Sequence, residues 1–277
     1  MSKILVYGGQ GNIRLQDLIR LSQSAAGRDI LEKLKFTNTQ SHTYFQSILK
    51  NEILLSDNYA SMLGTFIYNL WRTSEYKLSD ITCFSSHSAG IFNVLLASDS
   101  ASFENIVAFI EKRAKLVNSL KCKEEMWLVA TSSMERLREV IDGISFVELA
   151  ITTGSTTGVL SFSEENRDRF VDRVESADLL IKLKKLGLKV PYHTKFLQPI
   201  KEEYIQLVKI LDIQQNNAFK YIYMSSNLEE EIINQLTQEF KWHRILEELV
   251  KKGLSIEDLS PNRFILKQVK LLNLKKN

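Results

Sequence analysis

The stretch that decides the fold is Ile81-Thr82-Cys83-Phe84-Ser85-Ser86-His87-Ser88-Ala89-Gly90-Ile91-Phe92-Asn93-Val94-Leu95-Leu96-Ala97. Ile81 to Phe84 is β-branched and aromatic and reads as a strand, while Ile91 to Ala97 resumes an apolar helical run. The polar segment between them therefore sits at a strand-to-helix turn. Its centre is Ser88, and the residues two positions to either side, Ser86 and Gly90, are small. That is the pattern of a nucleophile elbow of the G-x-S-x-G kind. Such a turn is tight enough to require tiny flanking side chains, and it pushes the serine Oγ clear of the backbone. The following helix aims free N–H groups and its positive dipole end at an oxyanion formed by attack on an acyl carbon. Taken alone, the segment reads equally well as a polar loop opening a helix.

Upstream, Lys3 to Tyr7 reads as a buried strand ending at Gly8-Gly9-Gln10-Gly11. This loop fits neither the P-loop nor the dinucleotide template, but glycines there allow close backbone approach, and elbow enzymes draw a second oxyanion N–H from such a loop. Helical spacing dominates to Trp71, with Asn58 to Leu70 the most apolar helix. Phe103 to Leu120 reads as an amphipathic helix carrying Arg113, which on these residues alone belongs to a solvated face.

The texture changes after Lys121. Strands over Met126–Thr131, Ser145–Thr152, Gly158–Ser163 and Leu179–Leu183 alternate with helices over Met134–Ile141 and Glu165–Arg173. That β-α-β-β-α-β order is ferredoxin-like. Pro191 marks a return loop, followed by a helix over Ile200–Leu211, a strand over Lys220–Met224 and a mostly helical Glu229–Lys252. The expected architecture is α/β: a large α/β-hydrolase-like domain with a parallel sheet, residues 1–121 and 189–277, into which a ferredoxin-like small subdomain, residues 122–188, is inserted.

Composition narrows the function classes. The 277 residues, 44% hydrophobic and 25% charged, suit a globular core. Two cysteines, Cys83 and Cys122, provide no disulfide framework and no metal-binding pair. The net charge of +3, with Lys267, Lys270, Lys275 and Lys276 near the end, reads as a solvated tail rather than a nucleic-acid footprint. The N-terminal apolar run is too short for a signal peptide, and no membrane span is expected. The expectation is a cytoplasmic protein with no metal, no nucleic-acid partner and no membrane association.

A serine nucleophile needs a base. His87 adjoins Ser88, where the neighbouring side chain on an elbow points away, so local hydrogen bonding is its expected role. His243 follows Trp242 on a helix and reads as structural; His42 lies in a polar loop before Phe45. His193, in Val190-Pro191-Tyr192-His193-Thr194, sits in a proline-fixed return loop of the kind where functional groups collect. It is the expected general base.

Taken in order, these segments resemble the malonyl-CoA:acyl carrier protein transacylase family. Gly8-Gly9-Gln10-Gly11 is similar to its P-G-Q-G loop, Ser86-His87-Ser88-Ala89-Gly90 to its G-H-S-x-G elbow, and Lys112-Arg113-Ala114-Lys115-Leu116 to its R-G-x-x-M helix. Pro191-Tyr192-His193-Thr194 resembles the segment around its catalytic histidine, and Gln235 through Trp242 its Q-x-x-x-P-V-x-W segment. The resemblance implies Ser88 as acylated nucleophile, His193 as base, the Gln235 carbonyl as orienter of the imidazole, and the N–H groups of Gln10 and Ala89 as oxyanion hole. It implies Arg113 as a clamp on the free carboxylate of malonate. No bound cofactor is implied; malonyl-CoA is a substrate, an acyl carrier protein the acceptor, and a monomer the expected state. Departures include Gly8 for proline, Ile91 for glutamate, Ser56-Asp57-Asn58 for Thr-Gln-Pro, Thr153-Gly154-Ser155-Thr156 for Asn-x-Pro-Gly and Ser260-Pro261-Asn262 for G-P-G. They suggest a specialised member serving a polyketide pathway, with Asp57 placed to pair with Arg113. A bulky Tyr192 favours a small acyl group. The competing readings are an acyl hydrolase that clears carrier proteins and a non-catalytic scaffold that binds them.

Overall fold

The computed structural model describes residues 3–253 and 255–274, so Lys275 and Lys276 of the basic end, with Met1 and Ser2, lie outside the described residues. The chain opens with β1 (Lys3–Tyr7), then α1 (Leu15–Gln23), α2 (Ala25–Thr37), α3 (Thr39–Leu49) and α4 (Asn58–Thr73). β2 (Ile81–Ser86), α5 (Ile91–Ala97) and α6 (Phe103–Ser119) follow. Next come β3 (Glu124–Thr131), α7 (Met134–Ile141), β4 (Glu148–Thr152), β5 (Thr157–Ser163), α8 (Arg167–Glu175) and β6 (Ile181–Lys185). The chain returns through α9 (Lys201–Val208), β7 (Lys220–Tyr221), α10 (Leu228–Thr237), α11 (Trp242–Lys251), β8 (Ser255–Asp258) and α12 (Phe264–Leu274).

β7-β2-β1-β8 form one sheet whose neighbouring strands are all parallel. A parallel sheet survives only with both faces covered, and β1 shows how. Leu5 and Tyr7 point into an apolar cluster with α1 to α6, whereas Ile4 and Val6 point into a second cluster with α11 and α12. The helices begin where short polar side chains stand: Ser24, Asn38, Asp57, Ser102, Ser133 and Asn227 each accept a first-turn backbone N–H.

β4-β5-β3-β6 form a separate antiparallel sheet, the ferredoxin-like order. One face packs on α7 and α8 through Trp127, Val129, Leu160, Phe162 and Phe170. The opposite face adds Met126, Ala150, Ile151 and Val159 to the α11 side of the parallel sheet. Phe240, between α10 and α11, ties the sheets together: its N–H donates to the Ala150 carbonyl at 2.9 Å, and its carbonyl accepts from Thr152 N–H at 3.2 Å.

The mixed fold follows the sequence expectation, with local corrections. Ser255–Asp258 is a strand that periodicity does not reveal, because it is short and carries acidic residues; pairing with β1 holds it extended. The strand expected over 220–224 ends at Tyr221, and that expected from Ser145 begins at Glu148. The strand expected over Leu179–Leu183 runs Ile181–Lys185, since Leu179 caps α8 by donating to the Val174 carbonyl. The long helical reading over 229–252 breaks at Phe240. His42 lies within α3, not in a loop. Among the described residues, no helix is long and apolar enough to cross a membrane.

Candidate active site

β2 ends at Ser86, and His87 N–H donates to the Tyr7 carbonyl at 2.9 Å, so the turn stays locked to β1. Ser88 has φ 46°, a left-handed backbone that L residues adopt only under constraint. A 3-10 turn over Ser88–Gly90 then feeds α5. A Cβ on Gly90 would lie 2.7 Å from the Gly8 carbonyl oxygen and 3.0 Å from Ser86 Cβ. The two small positions of the elbow thus touch one another, which is why neither tolerates bulk. A Cβ on Gly9 would meet the His87 carbonyl oxygen at 2.6 Å, so the glycine loop and the elbow pack backbone against backbone. Ser86 shares a 2.8 Å hydrogen bond with the Tyr223 hydroxyl, which gives its buried polar atom a partner.

His193 arrives from the return loop, also with a left-handed φ of 66°. Its N–H donates to the Leu236 carbonyl at 3.0 Å, and its ring stacks on Phe240 with centroids 5.2 Å apart. Its Nε2 lies 2.7 Å from Ser88 Oγ. Burial, then the charges of His87 and Arg113, push its pKa down to about 3, so the ring is neutral and able to accept a proton. Nδ1 has no hydrogen-bond partner among the described residues. The Gln235 carbonyl therefore does not hold the ring as expected; the Gln235 side chain donates instead to Glu231 Oε1 at 3.1 Å. Aromatic stacking on Phe240 and the backbone bond to Leu236 fix the imidazole in its place.

The other histidines separate from the site. The His87 ring is boxed by Phe240, Trp242 and Phe264, and burial pushes its pKa down to about 4. Its Nδ1 also lacks a partner among the described residues, so its role is packing rather than the expected hydrogen bonding. His42 contacts Gln46 on α3, and half-buried His243 faces the Thr152 carbonyl at 3.3 Å.

Arg113 is not on a solvated face: it is 5% exposed on α6. Its guanidinium lies over the Tyr192 ring at 4.1 Å, with Phe92 and Tyr204 farther off at 5.8 and 5.9 Å. Nη1 donates to Met62 Sδ at 2.7 Å, and among the described residues Nε has no partner. Among the described residues no carboxylate pairs with it. Asp57 in particular is committed elsewhere, capping α4 at Ala60 N–H and accepting from the Tyr44 hydroxyl at 2.7 Å. Leaving a buried charge unpaired costs several kcal/mol, so the pocket is suited to an incoming anion.

Gln10 and Tyr192 converge on Asn58 at the start of α4. Gln10 Nε2 donates to Asn58 Oδ1 at 3.1 Å, and the Tyr192 hydroxyl donates to the same atom at 3.0 Å. Asn58 Nδ2 continues to Asn118 Oδ1 at 3.4 Å. Asn58, Asn118, Val190 and Pro191 also border an open cleft of about 340 Å³. The sequence reading gives no site role to Asn58, Met62, Tyr204 or Phe240, although Asn58 stands in the Ser56-Asp57-Asn58 departure and Phe240 within the Gln235–Trp242 segment.

No family model matches the sequence, and neither does any curated protein. Solved structures match it closely in fold. An acyl-carrier-protein S-malonyltransferase from Bartonella henselae superposes with a TM-score of 0.84 at 13% identity, over 99% of this chain and 93% of that one. A malonyl-CoA:acyl carrier protein transacylase from Coxiella burnetii gives 0.81 at 16% identity, over 99% and 92%. A malonyl-transacylase solved in complex with its type II polyketide acyl carrier protein gives 0.82 at 15%, over 98% and 92%.

Proposed function

From the fold it shares with the malonyl-CoA:acyl carrier protein transacylases, we propose that this chain is a serine acyltransferase. It carries a malonyl group from coenzyme A to the phosphopantetheine thiol of an acyl carrier protein, in polyketide or fatty-acid synthesis. The observation that carries the proposal is the 2.7 Å contact between Ser88 Oγ and a neutral His193 Nε2, with the unpaired guanidinium of Arg113 packed on the neighbouring Tyr192.

In the proposed cycle Ser88 Oγ attacks the thioester carbonyl carbon while His193 Nε2 takes its proton. The N–H groups of Gln10 and Ala89 receive the oxyanion, and the helix that begins after the elbow adds its positive end. Collapse breaks the C–S bond, and the proton on Nε2 passes to the coenzyme A thiolate. The carrier thiol then attacks acyl-Ser88, returning its proton through His193 to Ser88 Oγ as the C–O bond breaks. Arg113 holds the carboxylate at the far end of the acyl group, where a planar guanidinium offers two parallel donors. That carboxylate also cancels a charge that disfavours imidazolium, so the malonyl group helps its own base.

Intact-protein mass spectrometry after brief incubation with malonyl-CoA tests this. A malonyl adduct on the native chain, absent from Ser88→Ala and discharged onto a holo carrier protein, is the expected result. Discharge to free acid would identify a hydrolase, and no adduct with any acyl-CoA a scaffold. Arg113→Ala is expected to lower malonyl loading roughly 100-fold while acetyl loading persists, the scale of a lost buried charge pair.

A further inference from the structure

We propose that Met62 is the specificity residue of the acyl pocket, a displaceable side chain whose sulfur holds the place of the acyl carboxylate on Arg113. The inference rests on the acyltransferase reading and says what that site admits. Met62 Sδ crowds Arg113 Nη1 at 2.7 Å, a spacing natural to a carboxylate oxygen but tight for the larger sulfur atom. A thioether is a weak, uncharged acceptor. It fills the seat without neutralising the cation, whose Nε stays unpartnered.

The tyrosine stacked on the guanidinium is less free to move. Tyr192 is 5% exposed, and its hydroxyl is anchored on Asn58 Oδ1 at 3.0 Å. Asn58 in turn is held by Gln10 and Asn118. Met62 is buried too, at 2%, yet among the described residues its only polar contacts are the Arg113 bond and a 3.8 Å approach of the Tyr192 hydroxyl. Its unbranched side chain with three rotatable bonds re-packs readily. When an acyl group enters, Met62 is therefore the wall that yields, and Tyr192 the wall that stays.

This exchange discriminates by chemistry. A malonyl carboxylate replaces a weak acceptor with a charged one and neutralises the cation, which compensates the displacement. An acetyl group gains nothing by moving the sulfur. An α-branched malonyl group needs room that the displaced methionine still takes up against the fixed Tyr192 ring.

Met62→Ala and Met62→Leu test the proposal, with rates of Ser88 acylation by malonyl-, methylmalonyl- and acetyl-CoA as readout and thermal unfolding as a check of folding. Met62→Ala is expected to lower the KM for malonyl-CoA about five-fold with kcat nearly unchanged, because a ground-state displacement disappears. It should also admit methylmalonyl-CoA. Met62→Leu, similar in volume but branched and without the sulfur, is expected to raise the malonyl KM several-fold. If both variants fold and leave KM and the order of acyl preference as in the native chain, Met62 does not gate the seat. Unchanged malonyl loading in Arg113→Ala would instead bring down the malonyl reading itself, so the two failures are distinguishable.

Discussion

Residue by residue, the site is governed by what burial does to charge. His193 and Arg113 are both enclosed, and the ring loses basicity first through desolvation and then through its cationic surroundings. Its pKa of about 3 implies a plain kinetic signature. A base neutral at every ordinary pH gives no acidic limb near the usual histidine value, so kcat/KM for malonyl loading should be flat from about pH 5 to 8. A break near 6.5 in the profile would mean that the free enzyme's His193 is more solvated than its packing on Phe240 indicates. The turns that carry Ser88 and His193 were legible in the sequence because strand, glycine and proline signals mark each locally. The burial of Arg113 was not, since a helix face shows its partner only once something is packed on it.

For single elements, the elbow is the clearest case of sequence dictating shape. The small residues at 86 and 90 are needed because β2, the glycine loop and the 3-10 turn meet there. Gly90→Ala would drive a methyl group to 2.7 Å from the Gly8 carbonyl oxygen, a backbone atom with no freedom to retreat. It is expected to cost about 1–3 kcal/mol of stability and to slow acylation by moving Ser88, as denaturant unfolding and acyl loading would show. Secondary structure was legible wherever a period ran for several residues. It was not at β8, where Ser255-Ile256-Glu257-Asp258 takes its extended form from Lys3 to Val6. Nor was the break at Phe240, where the chain leaves α10 to bond with β4.

For the molecule as a whole, Phe240 joins the antiparallel sheet, the parallel sheet and the His193 imidazole. Phe240→Ala should therefore cost about 3–5 kcal/mol and reduce Ser88 acylation even at temperatures where the variant stays folded. Loss of stability with full acylation would show that the sheets support the fold but not the base. Acid should also act globally through His193 and His87, with pKa values of about 3 and 4 in the folded chain. Unfolded, each takes up a proton near 6.5. Below that value the unfolded chain binds more protons than the native one, so stability is full above pH 6.5 and falls as pH drops. The slope is about 1.4 kcal/mol per pH unit for each histidine. His87→Phe, which fits an aromatic box, should flatten the slope measured by denaturant titration.

The sequence alone determined most of the order of strands and helices, β8 and the break at Phe240 excepted, with the mixed α/β class, the turn at Ser88 and the return loop that carries His193. Those features depend on spacings within a few residues, and local backbone geometry reads them directly. Tertiary structure alone decided that Arg113 is enclosed, that Met62 and Tyr192 form its walls, and that Asp57 turns away from it to cap α4. It also decided that Phe240, not the Gln235 carbonyl, steadies the imidazole. Each of these joins residues far apart in the chain, and desolvation and packing exist only once distant segments have closed on one another.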